Sequence, residues 1–172
     1  MESLATSLDQ VRLFKPPTIF EDFRGQYVET YNRRLYCAAG IDMDFVQDDV
    51  SISRRHVLRG IHGDNKTWKL ISCLQGSFYM VVINNDPSSL QYRKWASFTL
   101  SETNRFQVLV PPKFGNGHLV MSDQAIFHYK QTTEYDRSEQ FTLIWNDPSL
   151  RIWWPVKNPV LSERDQGGPG SK

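Results

Sequence analysis

Short apolar runs recur along this chain at intervals of roughly 8–12 residues, separated by Gly, Pro, Asn and Asp, and almost nothing shows a helical period. That rhythm predicts an antiparallel sandwich or barrel. The strand candidates are Phe45 to Ser53, Lys94 to Leu100, Phe106 to Val110, His118 to Met121, Ile126 to Thr132 and Phe141 to Trp145. Leu70 to Leu74 and Phe78 to Ile83 flank Gln75-Gly76-Ser77, which predicts a hairpin with glycine in the turn. No internal repeat is visible, so the expectation is one domain over residues 1–172, with its core at about 10–165. Both ends read as loose, and the glycine-rich polar segment 166–172 is expected to be a flexible tail.

The chain carries 10 Phe, 7 Tyr and 5 Trp, which suits a β-rich core and a site that holds rings or sugars. Its formal net charge of +1 exerts no global pull on nucleic acid or a membrane, so local basic groups must bind any anion. Cys37 and Cys73 lack metal-ligand spacing; one disulfide is open to them, and two buried thiols in a reducing compartment is the preferred reading. The first twenty residues show no basic-then-apolar signal pattern, and no apolar run is long enough to span a bilayer. The cytoplasm is the expected location.

The densest chemical signal is Val57-Leu58-Arg59-Gly60-Ile61-His62-Gly63-Asp64, followed by Trp68-Lys69-Leu70. Extended backbone would put Leu58, Gly60 and His62 on one face and Arg59 on the other. Arg59 and Lys69 suit a phosphate, and His62 is a titratable imidazole. A solvated surface turn is the plainer reading of this segment. Pro111-Pro112-Lys113-Phe114-Gly115-Asn116-Gly117-His118 reads as a fixed turn that feeds a strand near His118. Tyr129 and Tyr135 flank a polar strand end, where tyrosines more often belong to a core or rim. Trp145, Trp153 and Trp154, with the prolines nearby, suggest an irregular cap over one end of the barrel.

Taken in order, these segments resemble the dTDP-4-dehydrorhamnose 3,5-epimerase family. The landmarks are Phe23-Arg24-Gly25 with Glu29, Phe45-Val46-Gln47, Val57 to His62, Lys69-Leu70, Pro111-Pro112, Tyr129-Lys130, Tyr135, Trp145 to Pro148, Trp154-Pro155 and Leu161 to Asp165. The resemblance implies an all-β, cupin-type double-stranded β-helix (a jelly-roll barrel) with a short irregular or helical C-terminal cap. It also implies a homodimer that needs neither metal nor cofactor. The implied substrate is a nucleoside-diphosphate 4-keto-6-deoxy sugar from surface-polysaccharide biosynthesis. By position, His62 corresponds to the catalytic base, Asp165 to its carboxylate partner, Tyr129 to the opposing acid and Lys69 to the cation beside the enolate. Arg24, Glu29, Gln47, Arg59 and Tyr135 match substrate-binding positions.

Two departures stand out. The family shows a second histidine where this chain has Asn116, with His118 two residues further on, and Asp49 replaces a frequent Asn. An extended strand would let His118 reach the face that Asn116 occupies, so both count as substrate-binding candidates. These changes, with Gly63-Asp64, resemble a branch acting on GDP-linked 4-keto-6-deoxy-heptoses, so GDP and dTDP both stand as candidate nucleotides. A metal-dependent cupin would need His-x-His, but here Asp64 follows His62 at that spacing. A sugar 3,4-ketoisomerase would want a paired histidine, and a degenerate sugar-binding module would be expected to lose His62 or Asp165 first.

Overall fold

The computed structural model describes residues 3–167. Two antiparallel sheets pack face to face. The strands of the six-stranded sheet are β1 (Ser3–Ala5), β2 (Arg12–Phe14), β5 (Gln47–Arg54), β7 (Lys69–Gln75), β10 (Gln107–Val110) and β12 (Gln124–Gln131), in the order β1-β2-β10-β7-β12-β5. The five-stranded sheet holds β6 (Leu58–Gly63), β8 (Ser77–Asn84), β9 (Trp95–Ser101), β11 (Phe114–Val120) and β13 (Phe141–Thr142), in the order β13-β6-β11-β8-β9. A separate hairpin pairs β3 (Ile19–Asp22) with β4 (Gly25–Val28), and one short helix, α1, spans Arg33–Ala38. The architecture is an all-β jelly roll of the cupin type, as expected.

Alternation builds three apolar layers from the two sheets. Ile71, Cys73, Met80, Val82, Val108 and Val110 point inward and form the core between the sheets. Leu70 and Leu109 point outward on the six-stranded sheet, where Phe14, Tyr36 of α1 and Ile41 cover them. Val81, Ile83, Leu58 and Ile61 point outward on the other sheet and pack under Leu150 and Trp154. The tryptophan-rich segment therefore lies flat on the outer face of this sheet rather than over a barrel end. Outward apolar residues need that cover, since burying each aliphatic side chain stabilises by roughly 1.5–3 kcal/mol. The segment is irregular, with no helix among its described residues.

The same double burial corrects the expected hairpin. β7 pairs with β10 and β12, whereas β8 pairs with β9 and β11, so Gln75-Gly76-Ser77 is a corner between sheets. Strands buried on both faces read as continuous apolar runs, and such runs do not reveal which neighbour they pair with. Gly76 makes the corner possible: its φ is +73°, and a Cβ there would lie 2.1 Å from the Gln124 carbonyl oxygen.

Other boundaries also move. β11 begins at Phe114 rather than near His118, because Pro111-Pro112-Lys113 completes the turn earlier. β13 covers only Phe141–Thr142 of the expected Phe141 to Trp145. The N-terminal end is not loose from residue 3 onward: β1 pairs with β2, and Leu8 is buried in the inner core. The expected tail over 166–172 falls mostly outside the described residues. Among those described, no helix is long and apolar enough to cross a membrane.

Candidate active site

Between the sheets, on the open side of the inner core, lies a cavity of about 570 Å³. β6 and β11 supply one wall with Arg59, His62, Asn116 and His118. β5, β7 and β12 supply the opposite wall with Ser51, Lys69, Ile71, Phe127 and Tyr129. Tyr135, Arg137 and Gln140 close one side, and the chain from Ser162 to Asp165 closes another.

His62 and Arg59 face the same cavity, against the expectation from simple alternation. Arg59 pairs with His118 and His62 with Asn116, so three steps along β6 match two along β11. That bulge shifts the phase of β6 by one residue and turns both side chains inward. Gly60 sits at the shift with φ +121°, and a Cβ there would lie 2.5 Å from the Gly117 Cα. Only glycine permits this approach.

His62 Nε2 lies 2.7 Å from Asp165 Oδ1. Asp165 is only 5% exposed, and its other oxygen accepts a hydrogen bond from Ser162 Oγ at 2.9 Å. Burial alone would raise the Asp165 pKa, but hydrogen bonds and charge from His62, with Ser162 and the Gly60 amide, bring it below the usual carboxylate value. With the carboxylate ionised, Nε2 carries the proton and donates it, which leaves Nδ1 with a free lone pair.

Lys69 is buried on the facing sheet, its Nζ 3.9 Å from Asp64 Oδ2. Burial lowers its pKa, Asp64 opposes that drop, and Arg164 adds to it. Asp64 itself holds a turn, accepting from the amides of Lys66 at 3.0 Å and Thr67 at 2.7 Å. No group of three or more metal-ligating side chains occurs among the described residues. Tyr129 has a raised pKa, first through burial and then through Asp49, so its phenol keeps its proton at neutral pH. His118 stacks on Phe127, with centroids 4.0 Å apart and planes 8° apart. Burial, helped by Arg59 and His62, pushes its pKa down to about 3.

The dTDP-4-dehydrorhamnose 3,5-epimerase description matches residues 5–172. A curated relative with that name from Shigella flexneri is 36% identical over 172 residues, covering 98% of this chain and 94% of its own length. The chain belongs to this family. A crystal structure of a Bacillus anthracis dTDP-4-dehydrorhamnose 3,5-epimerase with TDP and PPi bound superposes with a TM-score of 0.92 at 32% identity, covering 98% of each chain. The Legionella pneumophila dTDP-6-deoxy-D-glucose-3,5-epimerase, in complex with dTDP-4-keto-L-rhamnose, superposes at 0.91 and 32% identity, covering 97% of this chain and 90% of its own. The protein is accordingly an isomerase, a nucleotide-sugar 3,5-epimerase.

Within this epimerase, His62, Asp165, Lys69, Tyr129, Arg59, Asn116, His118 and Tyr135 meet at the cavity, although Asp165 follows His62 by 103 residues. Three expected pocket residues do not line it. Arg24 sits on the β3–β4 hairpin in a 2.6 Å ion pair with Asp22, its side chain 77% exposed. Glu29 accepts a long 3.4 Å hydrogen bond from Thr18. Gln47 stands one step behind the cavity: its Oε1 accepts from the Tyr135 amide at 2.9 Å and its Nε2 donates to Asp49 at 2.8 Å. Sequence positions cannot separate a residue that lines a pocket from one that braces the lining. The sequence reading also did not single out Arg137, Gln140, Glu163 and Arg164 as site residues; they come from a single 3-10 turn (Arg137–Glu139) and irregular segments too short for a periodic signal. Phe127 was findable, since it lies two residues along β12 from the named Tyr129.

Proposed function

We propose that this epimerase inverts carbons beside the C4 ketone of a nucleoside-diphosphate 4-keto-6-deoxy sugar, with His62 as base and Tyr129 as acid. The observation that carries the reading is their placement on opposite walls, His62 on β6 of one sheet and Tyr129 on β12 of the other. Inversion requires this: the proton leaves one face of the sugar and a new one arrives at the other. The His62 Nδ1 lone pair takes the α-proton. The C–H electrons form the C=C bond of an enolate, and negative charge develops on the C4 oxygen. The Lys69 ammonium stabilises that charge in a site largely shielded from water. Asp165 stabilises the imidazolium, and the Tyr129 hydroxyl delivers a proton to the opposite face. Solvent then restores both groups.

Arg59, Arg137 and Arg164 supply local positive charge for the diphosphate, which a net charge of +1 could not provide globally. The TDP and dTDP-sugar bound to the two solved relatives favour a dTDP-hexose. Asn116 and Asp49 favour a second reading, a GDP-linked heptose. Turnover of dTDP- and GDP-linked 4-keto sugars in deuterated water, with label counted at C3 and C5, tests both. No label from any donor would refute the mechanism, and unequal rates would mark one carbon as preferred.

We also propose a cytoplasmic homodimer. Val50 and Ile52 lie exposed on β5 at the sheet edge, with Val46 exposed just before it, an apolar surface that a second copy would cover. A second copy would also explain why Arg24, matched to a pocket position, stands outside its own pocket. Sedimentation should give a dimer, and Ile52→Lys should shift it towards monomer.

A further inference from the structure

Of the lysine and arginine side chains that line the cavity, only Lys69 belongs to a buried residue, 8% exposed. An arginine keeps its charge almost anywhere, whereas an ammonium removed from water is driven towards its neutral form. Lys69 therefore needs a nearby anion if it is to meet developing negative charge as a cation.

Asp64 Oδ2 lies 3.9 Å from Lys69 Nζ and is the only carboxylate in an ion pair with that nitrogen among the described residues. Asp64 is itself only 7% exposed, so little water screens the pair. Its other oxygen accepts from the amides of Lys66 at 3.0 Å and Thr67 at 2.7 Å, in the connection between β6 and β7. One oxygen is thus pinned to the backbone and the second is left for Lys69. Asp64 does not line the cavity, so its position behind Lys69 keeps it from the substrate.

The other groups around Lys69 do not replace this contact. Burial acts on it most strongly and lowers its pKa; Asp64 opposes the drop most, Arg164 of the C-terminal segment adds to it, and Asp49 of β5 opposes it more weakly. Arg59 and His62 stand on the facing wall, and Tyr129 of β12 keeps its proton. Val110 and Gln131, the neighbours of Lys69 across the sheet, carry no charge.

We propose that Asp64 is the counter-ion of Lys69, a positioning residue that holds the buried ammonium charged at the cavity wall without touching the substrate. Its use in the reaction rests on reading Lys69 as the cation beside the enolate.

The test follows the Cε resonances of isotope-labelled lysine in the enzyme against pH, with Lys69 assigned through Lys69→Arg, and reads kcat/KM over the same range. Asp64→Asn keeps an oxygen for both amides and loses only the charge. The Lys69 midpoint should then fall. Above the alkaline limb, kcat/KM should drop at least ~10-fold relative to wild type, because removing an opposite charge at this range changes the charged fraction by that factor or more. The ratio of variant to wild type should climb towards one as pH falls, where both enzymes hold Lys69 protonated. Thr133→Val removes the 2.7 Å hydroxyl partner of Thr67 in the same turn but leaves both charges, so its limb should stay in place. An unchanged Lys69 midpoint in Asp64→Asn would overturn the proposal. So would a limb in Thr133→Val displaced as far as that of Asp64→Asn, since the turn rather than the charge would then be responsible. A midpoint that falls while the alkaline limb stays put would support the counter-ion and remove Lys69 from the epimerase mechanism.

Discussion

Asp165 fixes which nitrogen of His62 faces the cavity, through the 2.7 Å contact of its Oδ1 with Nε2. Asp165→Asn keeps the shape but offers an amide N–H to Nε2, which favours the tautomer that is protonated on Nδ1. The base then has no lone pair towards the cavity. Turnover should fall by roughly 10²–10⁴-fold, the scale of a general base's contribution, since the base is held in the wrong tautomer. Substrate affinity should hold, because Arg59 and Arg137 are untouched. Steady-state kinetics with a binding titration checks this, and a lost affinity with normal kcat would contradict it.

His62→Asn removes the proposed base itself. Deuterium exchange from either α-carbon should drop by at least ~100-fold, the usual scale for a positioned general base. Exchange near the wild-type rate would take His62 out of the mechanism.

The fold was legible because the chain repeats one signal, and one wall of the cavity was legible because Arg59, His62, Asn116 and His118 sit on those strands. What escaped reading has physical causes. The bulge at Gly60 turned Arg59 inward, and no alternation rule foresees an extra residue in one strand. The β7–β8 corner passed for a hairpin because Leu70 to Ile83 is apolar on both faces, as strands covered on both sides must be. Helix α1 and strands β1 to β4 carry too few residues for a period to show.

His118 makes stability depend on pH in one direction. Its pKa is about 3 in the folded protein, against an ordinary histidine value of roughly 6.5 in the unfolded chain. Between those values only the unfolded state holds the proton, so stability rises with pH across that window and is unaffected above it. By pH 5 the wild type should have lost about 2 kcal/mol through this residue relative to pH 7. His118→Phe should lose less over the same interval. Urea unfolding at pH 7 and pH 5 measures the difference, and identical losses would show that His118 is protonated in the folded state.

Tyr129→Phe should separate two events that the wild type couples. Deprotonation at the His62 face needs no phenol, whereas delivery of a proton to the opposite face does. Inverted product should therefore fall by a larger factor than deuterium exchange with retention. Equal losses of both would assign Tyr129 to stabilising the enolate instead.

Arg24 gives the sharpest test of the homodimer, because it matches a pocket position yet stands exposed on the β3–β4 hairpin. If the hairpin of one copy completes the pocket of the other, Arg24→Ala and His62→Asn damage each pocket from different chains. Mixed dimers of the two variants then contain one pocket with both defects and one with neither. Random exchange makes about half of the dimers mixed, and each holds one intact pocket of two, so activity at low substrate should return to about a quarter of wild type. An Arg24 that served its own pocket would leave every pocket damaged after mixing, and activity would stay at the average of the separate variants. The assay needs only co-refolding and a rate measured below KM, where Arg24→Ala loses most. Recovery above that average assigns the hairpin to the partner's site, and its absence places Arg24 outside catalysis across the dimer.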